Sequence, residues 1–298
     1  MKFELPLRGV MVISAYRNTI NIKSLGVIII ILIIITAFFY SQNNWISKTR
    51  FKIYSQRLPK NFDGFKIVHI SDLHNKSFGK KQQYLVNQIK EENPNIIIIT
   101  GDLIDSRRYN EYIAIQFVEE AVKVAPVYYV TGNHELRSGK FKVLEKKLIE
   151  TGVRVLRNSW EKIDINGQGI VIAGVDDPYT GIRYVEPVVI KEYLRETTKD
   201  LDKNSFKILL SHRPEKIKAY AEFGFDLVFS GHAHGGQVRI PFLGGLIVPN
   251  QGFFPKYTSG LHKIKDTIMI ISRGLGNSIV PQRIFNRPEI IITELLVE

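Results

Sequence analysis

The sequence predicts an α/β domain that follows an N-terminal membrane-spanning helix, and three observations support this fold class. Short apolar runs alternate with amphipathic stretches over most of the chain after residue 60, which is the pattern of strands joined by helices. A run of sixteen uncharged residues, 25–40, stands near the N-terminus. Histidine, aspartate and asparagine residues follow several of the apolar runs. With 298 residues, 44% of them hydrophobic, the chain can form one large domain or two small ones.

The apolar run 25–40 predicts a membrane anchor. With Ser24 and Ser41 it reaches the length of about 17 residues that a helix needs to cross the hydrocarbon core. A cleaved signal peptide is the alternative, but no small-x-small cleavage site follows the run. We therefore expect four segments, which are a short basic segment at 1–23, the anchor at 24–41, a polar connector at 42–60 and one domain at 61–298.

The domain is predicted to alternate strands and helices along its first two thirds. Leu85, Val86 and Ile89 recur at helical spacing and predict a helix at 80–92. The other elements follow from the same periodicities, with strands at 65–70, 95–100, 126–131, 153–156, 169–175, 206–210, 226–230, 267–272 and 289–296, and helices at 109–124, 140–151 and 188–198. From residue 237 onward short β-like runs dominate, including 240–248.

Five strand-like runs end in clusters of side chains that suit metal binding. The clusters hold Asp72 and His74, Asp102, Asn133 and His134, His212, and His232 and His234. In α/β folds functional groups gather at strand ends, so these clusters can assemble from distant parts of the chain. A set of Asp, His and Asn is intermediate in softness and disfavours calcium, whereas manganese, iron and zinc stay open. The absence of cysteine excludes disulfides and cysteine-ligated zinc. Taken singly, each cluster is an ordinary turn or cap signal.

The order of these clusters resembles that of the calcineurin-like metallophosphoesterases. The matching segments are Ser-Asp-Leu-His at 71–74, Gly-Asp at 101–102, Gly-Asn-His-Glu at 132–135, the histidine at 212 and Gly-His-Ala-His-Gly at 231–235. The resemblance covers 62–296 and implies a four-layer α-β-β-α sandwich, in which helices flank two packed sheets. It also implies two divalent metal ions and hydrolysis of a phosphoester by in-line attack of a metal-bound hydroxide.

The same resemblance implies a role for each residue. Asp102 would bridge the two ions, because neighbouring cations need a shared anionic ligand. His134 would lie beside the metals without binding them, and would stabilise the transition state or protonate the leaving oxygen. Glu135 either orients His134 or has a capping or ion-pair role. The other ligands would divide into Asp72, His74 and His234 at one ion and Asn133, His212 and His232 at the other. Manganese is the expected metal, with iron or zinc as alternatives.

Three further segments resemble a bacterial membrane-associated subgroup of that family, namely 231–237, Arg-Gly-Leu-Gly at 273–276 and Arg-Pro-Glu at 287–289. The subgroup includes YaeI- and YkuE-like phosphodiesterases and a UDP-2,3-diacylglucosamine pyrophosphatase. It implies a membrane-anchored hydrolase that cleaves a phosphodiester or pyrophosphate of a lipid-linked or envelope substrate. The alternatives are a metal-binding scaffold of the same fold without catalysis and a serine/threonine protein phosphatase. The latter is disfavoured because its phosphate-gripping arginines cannot be matched here.

The charge of the chain bears on its partners and its location. The formal net charge of +12, from 41 Lys and Arg against 29 Asp and Glu, suits phosphate groups or anionic lipid. The basic residues are scattered, so no specific nucleic acid is expected. Basic residues on both sides of the span give no decisive orientation. We expect a single-pass protein of the cell membrane with its catalytic domain outside the cytoplasm. The apolar and aromatic loop 244–257 is expected either to touch lipid or to pack on the sheet.

Overall fold

The computed structural model describes residues 22–248 and 251–298. The chain forms two compact units, Met1–Phe38 and Phe39–Glu298. The predicted basic segment 1–23 lies outside the described residues apart from its last two positions. Helix α1 (Ile22–Asn44) is long and apolar enough to cross a membrane over Lys23–Asn44, by length and composition. Its large apolar side chains from Leu25 to Ile35 are exposed, as a helix that faces lipid requires.

Six strands form the first sheet. The three strands that end at Asp72, Asp102 and Asn133 are parallel neighbours. The last strand of the chain runs antiparallel to the strand that ends before Asp72. In spatial order they are β1 (Ser47–Ser55), β16 (Glu289–Val297), β2 (Phe65–Ile70), β3 (Ile96–Thr100), β4 (Val127–Val130) and β5 (Arg154–Val155).

The second sheet also has six strands, of which the central four are parallel and the two edge strands antiparallel. In spatial order they are β14 (Gly260–Ile264), β15 (Thr267–Ile271), β9 (Leu227–Ser230), β8 (Lys207–Leu210), β7 (Gln168–Gly174) and β6 (Ser159–Ile165). Two small hairpins stand between β9 and β14, built from β10 (Arg239–Ile240) with β11 (Gly244–Gly245) and β12 (Ile247–Val248) with β13 (Gly252–Phe253).

Helices cover the outer face of each sheet. The first sheet packs on α2 (Gln83–Lys90), α3 (Glu111–Ala121) and α5 (Phe141–Glu150), and the second on α6 (Glu186–Thr198) and α7 (Ile217–Glu222). Within β3, Ile97 and Ile99 face the helices, whereas Ile96 and Ile98 face the other sheet. Strands buried on both faces need such continuous apolar runs. The predicted four-layer α-β-β-α sandwich is confirmed.

The structure differs from the sequence prediction at the edges of the sheets. Inside the predicted connector 42–60, β1 pairs in parallel with β16 along all nine of its residues. β6 and β14 are also edge strands that the sequence patterns do not reveal. All three contain charged residues, and almost all of their positions are partly or fully exposed. Edge strands are often charged, which protects them from pairing with other chains but removes the apolar run that predicts a strand.

The loop 244–257 is partly packed on the core and partly exposed. Val248 is buried in the core between the second sheet and its helices, and Tyr257 packs against that core. Phe253 and Phe254 are 72% and 56% exposed. The part of the loop at 249–250 lies outside the described residues.

Candidate metal centre

The seven predicted metal ligands and the predicted catalytic residue His134 all lie just beyond the carboxyl ends of strands. Asp72 and His74 follow β2, and Asp102 follows β3. Asn133 and His134 begin α4 (Asn133–Arg137) directly after β4, and the remaining three residues follow β8 and β9. All eight are buried. Three groups of them have ligand atoms within 4.8 Å of one another, namely Asp72 with His74 and His234, Asp102 with His212 and His232, and His74 with Asp102 and His134.

The first group surrounds a small space with nitrogen and oxygen atoms. His74 Nε2 and His234 Nε2 are 3.0 Å apart, and Asp72 Oδ1 lies 3.3 Å from His234 Nε2 and 3.8 Å from His74 Nε2. Ser71 Oγ donates a hydrogen bond of 2.6 Å to the other oxygen of Asp72, which fixes the carboxylate. The group therefore offers one carboxylate and two imidazoles to a single cation, a donor set suited to a transition metal.

Asp102 lies between the two groups. Its Oδ2 atom is 3.5 Å from His74 Nε2 and 3.2 Å from His212 Nε2. Its Oδ1 atom accepts a 2.8 Å hydrogen bond from the backbone N–H of His134. One carboxylate oxygen thus faces histidines of both groups, which is the position that a shared ligand would need.

The second group is oriented by neighbours outside it. His212 Nδ1 donates to Thr100 O at 2.7 Å, which leaves Nε2 as the ligand atom. His232 Nε2 accepts from Arg213 Nη1 at 3.3 Å, and its Nδ1 atom lies 3.2 Å from His212 Nε2. Asn133 Oδ1 is buried and has no hydrogen-bond partner among the described residues. A buried acceptor without a donor is costly, and a cation would satisfy it. The residues present therefore fit a second metal ion.

The backbone around the centre adopts conformations that cost energy. Asp72, His74, Asp102, His232 and His234 all have a positive φ, between 47° and 66°. Residues other than glycine rarely adopt a positive φ, and those that do cluster at functional sites. The same conformation turns neighbouring side chains toward one cavity.

Two glycines allow the loops to meet. Gly101 has a φ of 84°, and a Cβ there would lie 2.6 Å from Gly132 Cα. A Cβ on Gly132 would in turn lie 2.8 Å from the carboxylate carbon of Asp102. Close approach of the β3 and β4 loops therefore requires glycine at both positions.

Buried charges shift the pKa values of the ligands. Burial disfavours ionised Asp102, but the charges of His212, His134 and His74 and the hydrogen bond from His212 together outweigh burial and hold the pKa of Asp102 well below its usual range. Burial lowers the pKa of His234 to about 3 against the charge of Asp72, and burial also lowers the pKa of His232. Burial opposes protonation of His212 too, yet Asp102 raises its pKa to about 10. A cation bound at His212 would therefore displace a proton.

His134 is held by the loop that follows Asp102. Its Nδ1 atom accepts from Ser106 N at 3.0 Å and lies 3.4 Å from Asp105 Oδ1. Because Nδ1 accepts a backbone N–H, the neutral ring carries its proton on Nε2. Burial lowers the pKa of His134, against the charge of Asp102. By distance alone His134 could also be a ligand.

Glu135 does not orient His134. It accepts backbone N–H groups from Asp102 and Gly132, both at 2.8 Å, and from Ile104 at 3.2 Å. The alternative that it caps the start of α4 is the one that the structure shows. Glu135 therefore fixes the loops that carry Asp102 and Asn133.

Three further residues support the centre and are not predicted from the sequence. Asp105 contacts His134, and Arg213 contacts His232 while it pairs with the buried Asp177 at 2.5 Å. Asn286 Nδ2 donates to the backbone oxygen of His234 at 2.7 Å. All three lie near a motif: Asp105 is three residues after Asp102, Arg213 directly follows His212, and Asn286 directly precedes the Arg-Pro-Glu segment at 287–289. Histidines 69 and 262, which match no motif, belong to none of the three groups.

A small cleft opens over the centre, with a volume of about 60 Å³. We call it the metal cleft. Its walls include Asp102, Asn133, His134 and two arginines, Arg107 and Arg137. Arginine presents several N–H donors in a plane and is suited to the oxygens of a phosphate group.

Comparison with known proteins finds one matching family model and several relatives. The model described as calcineurin-like phosphoesterase matches residues 65–236, more than half of the chain. The uncharacterized metallophosphoesterase YkuE of Bacillus subtilis (strain 168) is 31% identical over 261 residues, which cover 86% of this chain and 87% of that protein. An uncharacterized metallophosphoesterase of Aquifex aeolicus (strain VF5) is 32% identical over 263 residues, 87% of this chain and 95% of that protein.

One relative from Danio rerio is called transmembrane protein with metallophosphoesterase domain. It is 29% identical over 246 residues, which cover 79% of this chain and 54% of that protein.

Proposed function

The chain belongs to the calcineurin-like phosphoesterase family and is a phosphoester hydrolase, and we propose that it cleaves a phosphodiester or pyrophosphate with two divalent metal ions. One observation carries the proposal. Asp102 Oδ2 lies 3.5 Å from His74 Nε2 and 3.2 Å from His212 Nε2, so one oxygen faces both histidine groups. Hydrolases with two metal ions need such a shared ligand to hold the cations about 3.5–4 Å apart.

We assign the ligands by group. Asp72, His74 and His234 hold one ion, Asn133, His212 and His232 hold the other, and Asp102 bridges them. Histidine and carboxylate ligands suit manganese, which we propose as the metal, and also iron and zinc. When bound, the ions supply Lewis acidity at the phosphoryl group.

Side chains of the protein supply a proton to the leaving oxygen and bind the phosphate group. When it is protonated on both ring nitrogens, His134 gives its Nε2 proton to the leaving oxygen and keeps the proton on Nδ1, which lies 3.4 Å from Asp105 Oδ1. Arg107 and Arg137 line the metal cleft with His134 and bind the phosphate oxygens that are not displaced. The attacking and leaving oxygens then lie on opposite sides of the phosphorus, as in-line displacement requires.

We further propose that the chain consists of an anchor and a catalytic domain, and that the substrate is lipid-linked or belongs to the cell envelope. Three observations support this. Lys23–Asn44 can span a membrane by length and composition, and the Danio rerio relative is called a transmembrane protein. Phe253 and Phe254 are exposed on a short hairpin, where aromatic side chains could contact lipid. The catalytic domain would lie outside the cytoplasm.

Hydrolysis of a model diester tests the proposed function. The full-length protein in detergent should cleave bis-p-nitrophenyl phosphate when Mn²⁺ is added and stop when a chelator is added. Asp102→Asn should lower turnover on the order of 100-fold or more, since it weakens the bridge to both ions. Elemental analysis should find clearly fewer than two metal ions per chain in this variant.

Asp200→Asn is the matched control, because Asp200 is exposed and follows α6, away from the metal centre. It should keep both metals and full turnover. Two tightly held metals in Asp102→Asn would refute the assignment of Asp102 as the bridge. Full metal occupancy of the unaltered protein without turnover of any ester would favour a metal-binding scaffold that lacks catalysis.

A further inference from the structure

A second pocket of about 740 Å³ opens beside His74. We call it the large pocket, and its volume is in the range of sites for ligands of nucleotide size. Amide side chains are the most frequent in its walls and are contributed by Asn43, Asn44, Asn75, Asn110 and Asn277. Walls rich in hydrogen-bonding groups suit a polar ligand and disfavour an acyl chain, which would leave those groups without partners.

The large pocket adjoins the metal cleft. Arg107, Ser278 and Ile279 line both spaces. The metal cleft has a volume of about 60 Å³, against about 740 Å³ for the large pocket. The smaller space lies over the metal centre and is the place of the reacting phosphate. A group esterified to that phosphate must extend beyond the cleft, and the large pocket is the space next to it.

The large pocket carries positive charge. Lys76, Arg107 and Arg108 line it, and its described lining residues include no acidic side chain. Asp105 lies beneath the two arginines, 3.3 Å from Arg107 Nε and 3.1 Å from Arg108 Nη2. Each guanidinium has five N–H donors, so both keep donors for a ligand. The guanidinium groups of Arg107 and Arg108 stay charged at any physiological pH.

Hydrogen bonds fix the walls of the large pocket before a ligand binds. Asn75 Nδ2 donates to the backbone oxygen of Arg108 at 2.7 Å. The buried Arg283 donates through Nε to Asn277 Oδ1 at 3.0 Å, and its backbone N–H donates to Asn43 Oδ1 at 2.9 Å. A pocket whose walls are already ordered loses less conformational entropy on binding.

We propose that the large pocket binds a second phosphate group of the substrate, on the part of the molecule that does not react. The substrate class is thus a phosphoester with two anionic groups, either a pyrophosphate diester or a phosphodiester that carries another phosphate. Arg108 lines the large pocket but not the metal cleft, so its contribution is specific to the second phosphate. The proposal rests on the proposed function, because it takes the metal cleft to be the place of the reacting phosphate.

Calorimetric titration of the full-length protein, in detergent with Mn²⁺, tests the proposal with two nucleotides that differ in one phosphate. Thymidine 3′,5′-bisphosphate should bind about tenfold or more tightly than thymidine 5′-monophosphate, since hydrogen bonds between charged groups are the strong ones. Arg108→Ala should bring the ratio of the two affinities close to one, and Arg108→Lys should give an intermediate ratio. Arg195→Ala should leave the ratio unchanged, because Arg195 is exposed on α6 on the second sheet.

Equal affinity for the two nucleotides in the unaltered protein would overturn the proposal. An unchanged ratio in Arg108→Ala would also overturn it. The ratio does not depend on turnover, so the two proposals fail separately. A protein that cleaves no ester but shows the Arg108-dependent ratio would refute the proposed function alone.

Discussion

The carboxylate of Asp102 has two oxygen atoms that contact different groups. Oδ2 faces His74 and His212, and Oδ1 accepts the backbone N–H of His134. The residue that bridges the ions in our proposal therefore also sets the distance between them and the proton donor. Glu135 reinforces this arrangement, because it holds the backbone N–H of Asp102. A change at either residue would disturb metal binding and proton transfer together.

His134 itself can be changed without removing a proposed metal ligand. His134→Ala should keep both metal ions and lower turnover by roughly 10²–10⁴-fold, the size of a lost general acid. Asp105 lies 3.4 Å from His134 Nδ1 and acts through it as a positioning residue. Asp105→Asn should therefore lower turnover by about tenfold, and its effect should be smaller when combined with His134→Ala, leaving only the part that acts through Arg107 and Arg108. Steady-state turnover and elemental analysis measure these outcomes.

Loss of metal in His134→Ala would mean that His134 is a ligand. Additive effects in the double variant would mean that Asp105 acts independently of His134. Asp200→Asn again serves as the control for loss of an acidic side chain, because it is exposed and follows α6.

The sequence predicts the metal ligands better than the residues that orient them. Each ligand follows an apolar run that forms a strand, so its position can be predicted from the end of that run. Arg213 and Asn286 support His232 and His234 from positions 19 and 52 residues away along the chain. Such contacts depend on how the loops fold, and no local pattern predicts them.

The last turn of α1 is part of the Phe39–Glu298 unit. Asn43 Nδ2 donates to Pro281 O at 3.1 Å, and Gln42 Oε1 accepts from Asn286 N at 3.1 Å. Asn286 in turn donates to the backbone oxygen of His234. The end of the helix is therefore linked by hydrogen bonds to the loop of a proposed metal ligand.

Two truncations should behave differently. Removal of residues 1–38 leaves Gln42, Asn43 and all of β1, so the product should keep its thermal stability and its turnover of a soluble diester. Removal of residues 1–50 also deletes four pairs between β1 and β16, and its midpoint of unfolding should fall by roughly 10 °C. Scanning calorimetry and bis-p-nitrophenyl phosphate hydrolysis measure the two effects.

The shorter truncation also tests the substrate. Without its anchor, the 39–298 protein should lose about tenfold or more turnover on a phosphoester embedded in vesicles, since tethering raises the effective concentration at one surface. An equal loss on soluble and embedded substrates would argue that the natural substrate is water-soluble. Equal stability of both truncations would mean that the contacts of Gln42, Asn43 and β1 are dispensable.

Interior strands were predictable, whereas three of the four edge strands, β1, β6 and β14, were not, for a physical reason. β2, β3, β8 and β9 are buried almost throughout, so their sequences are near-continuous apolar runs. β1 carries Lys48, Arg50 and Lys52 at alternate positions, so it has no continuous apolar run. The stacking of two sheets into four layers follows from the family resemblance, because periodicity alone does not fix how sheets pack.

At the scale of the whole molecule, the basic residues on the two sides of the span bear on its orientation. Lys48 and Arg50, which follow the span, pair with Glu91 at 2.8 Å and Glu92 at 2.9 Å. These cations belong to a folded sheet edge, and long domains translocate largely regardless of their charge. The basic residues before the span, at positions 2, 8, 17 and 23, form a short segment of the kind that the positive-inside rule counts. This difference favours an N-terminus in the cytoplasm and a catalytic domain outside it.

Protease accessibility tests this orientation. In sealed right-side-out membrane vesicles, added protease should digest the catalytic domain, while a tag fused before residue 1 stays protected until detergent opens the vesicles. Full-length protein should also remain with the membrane after alkaline carbonate washing, as a spanning helix requires. Protection of the domain with digestion of the tag would reverse the assignment and place the metal centre in the cytoplasm. Release by carbonate would instead refute the span, and with it the surface confinement on which a lipid-linked substrate depends.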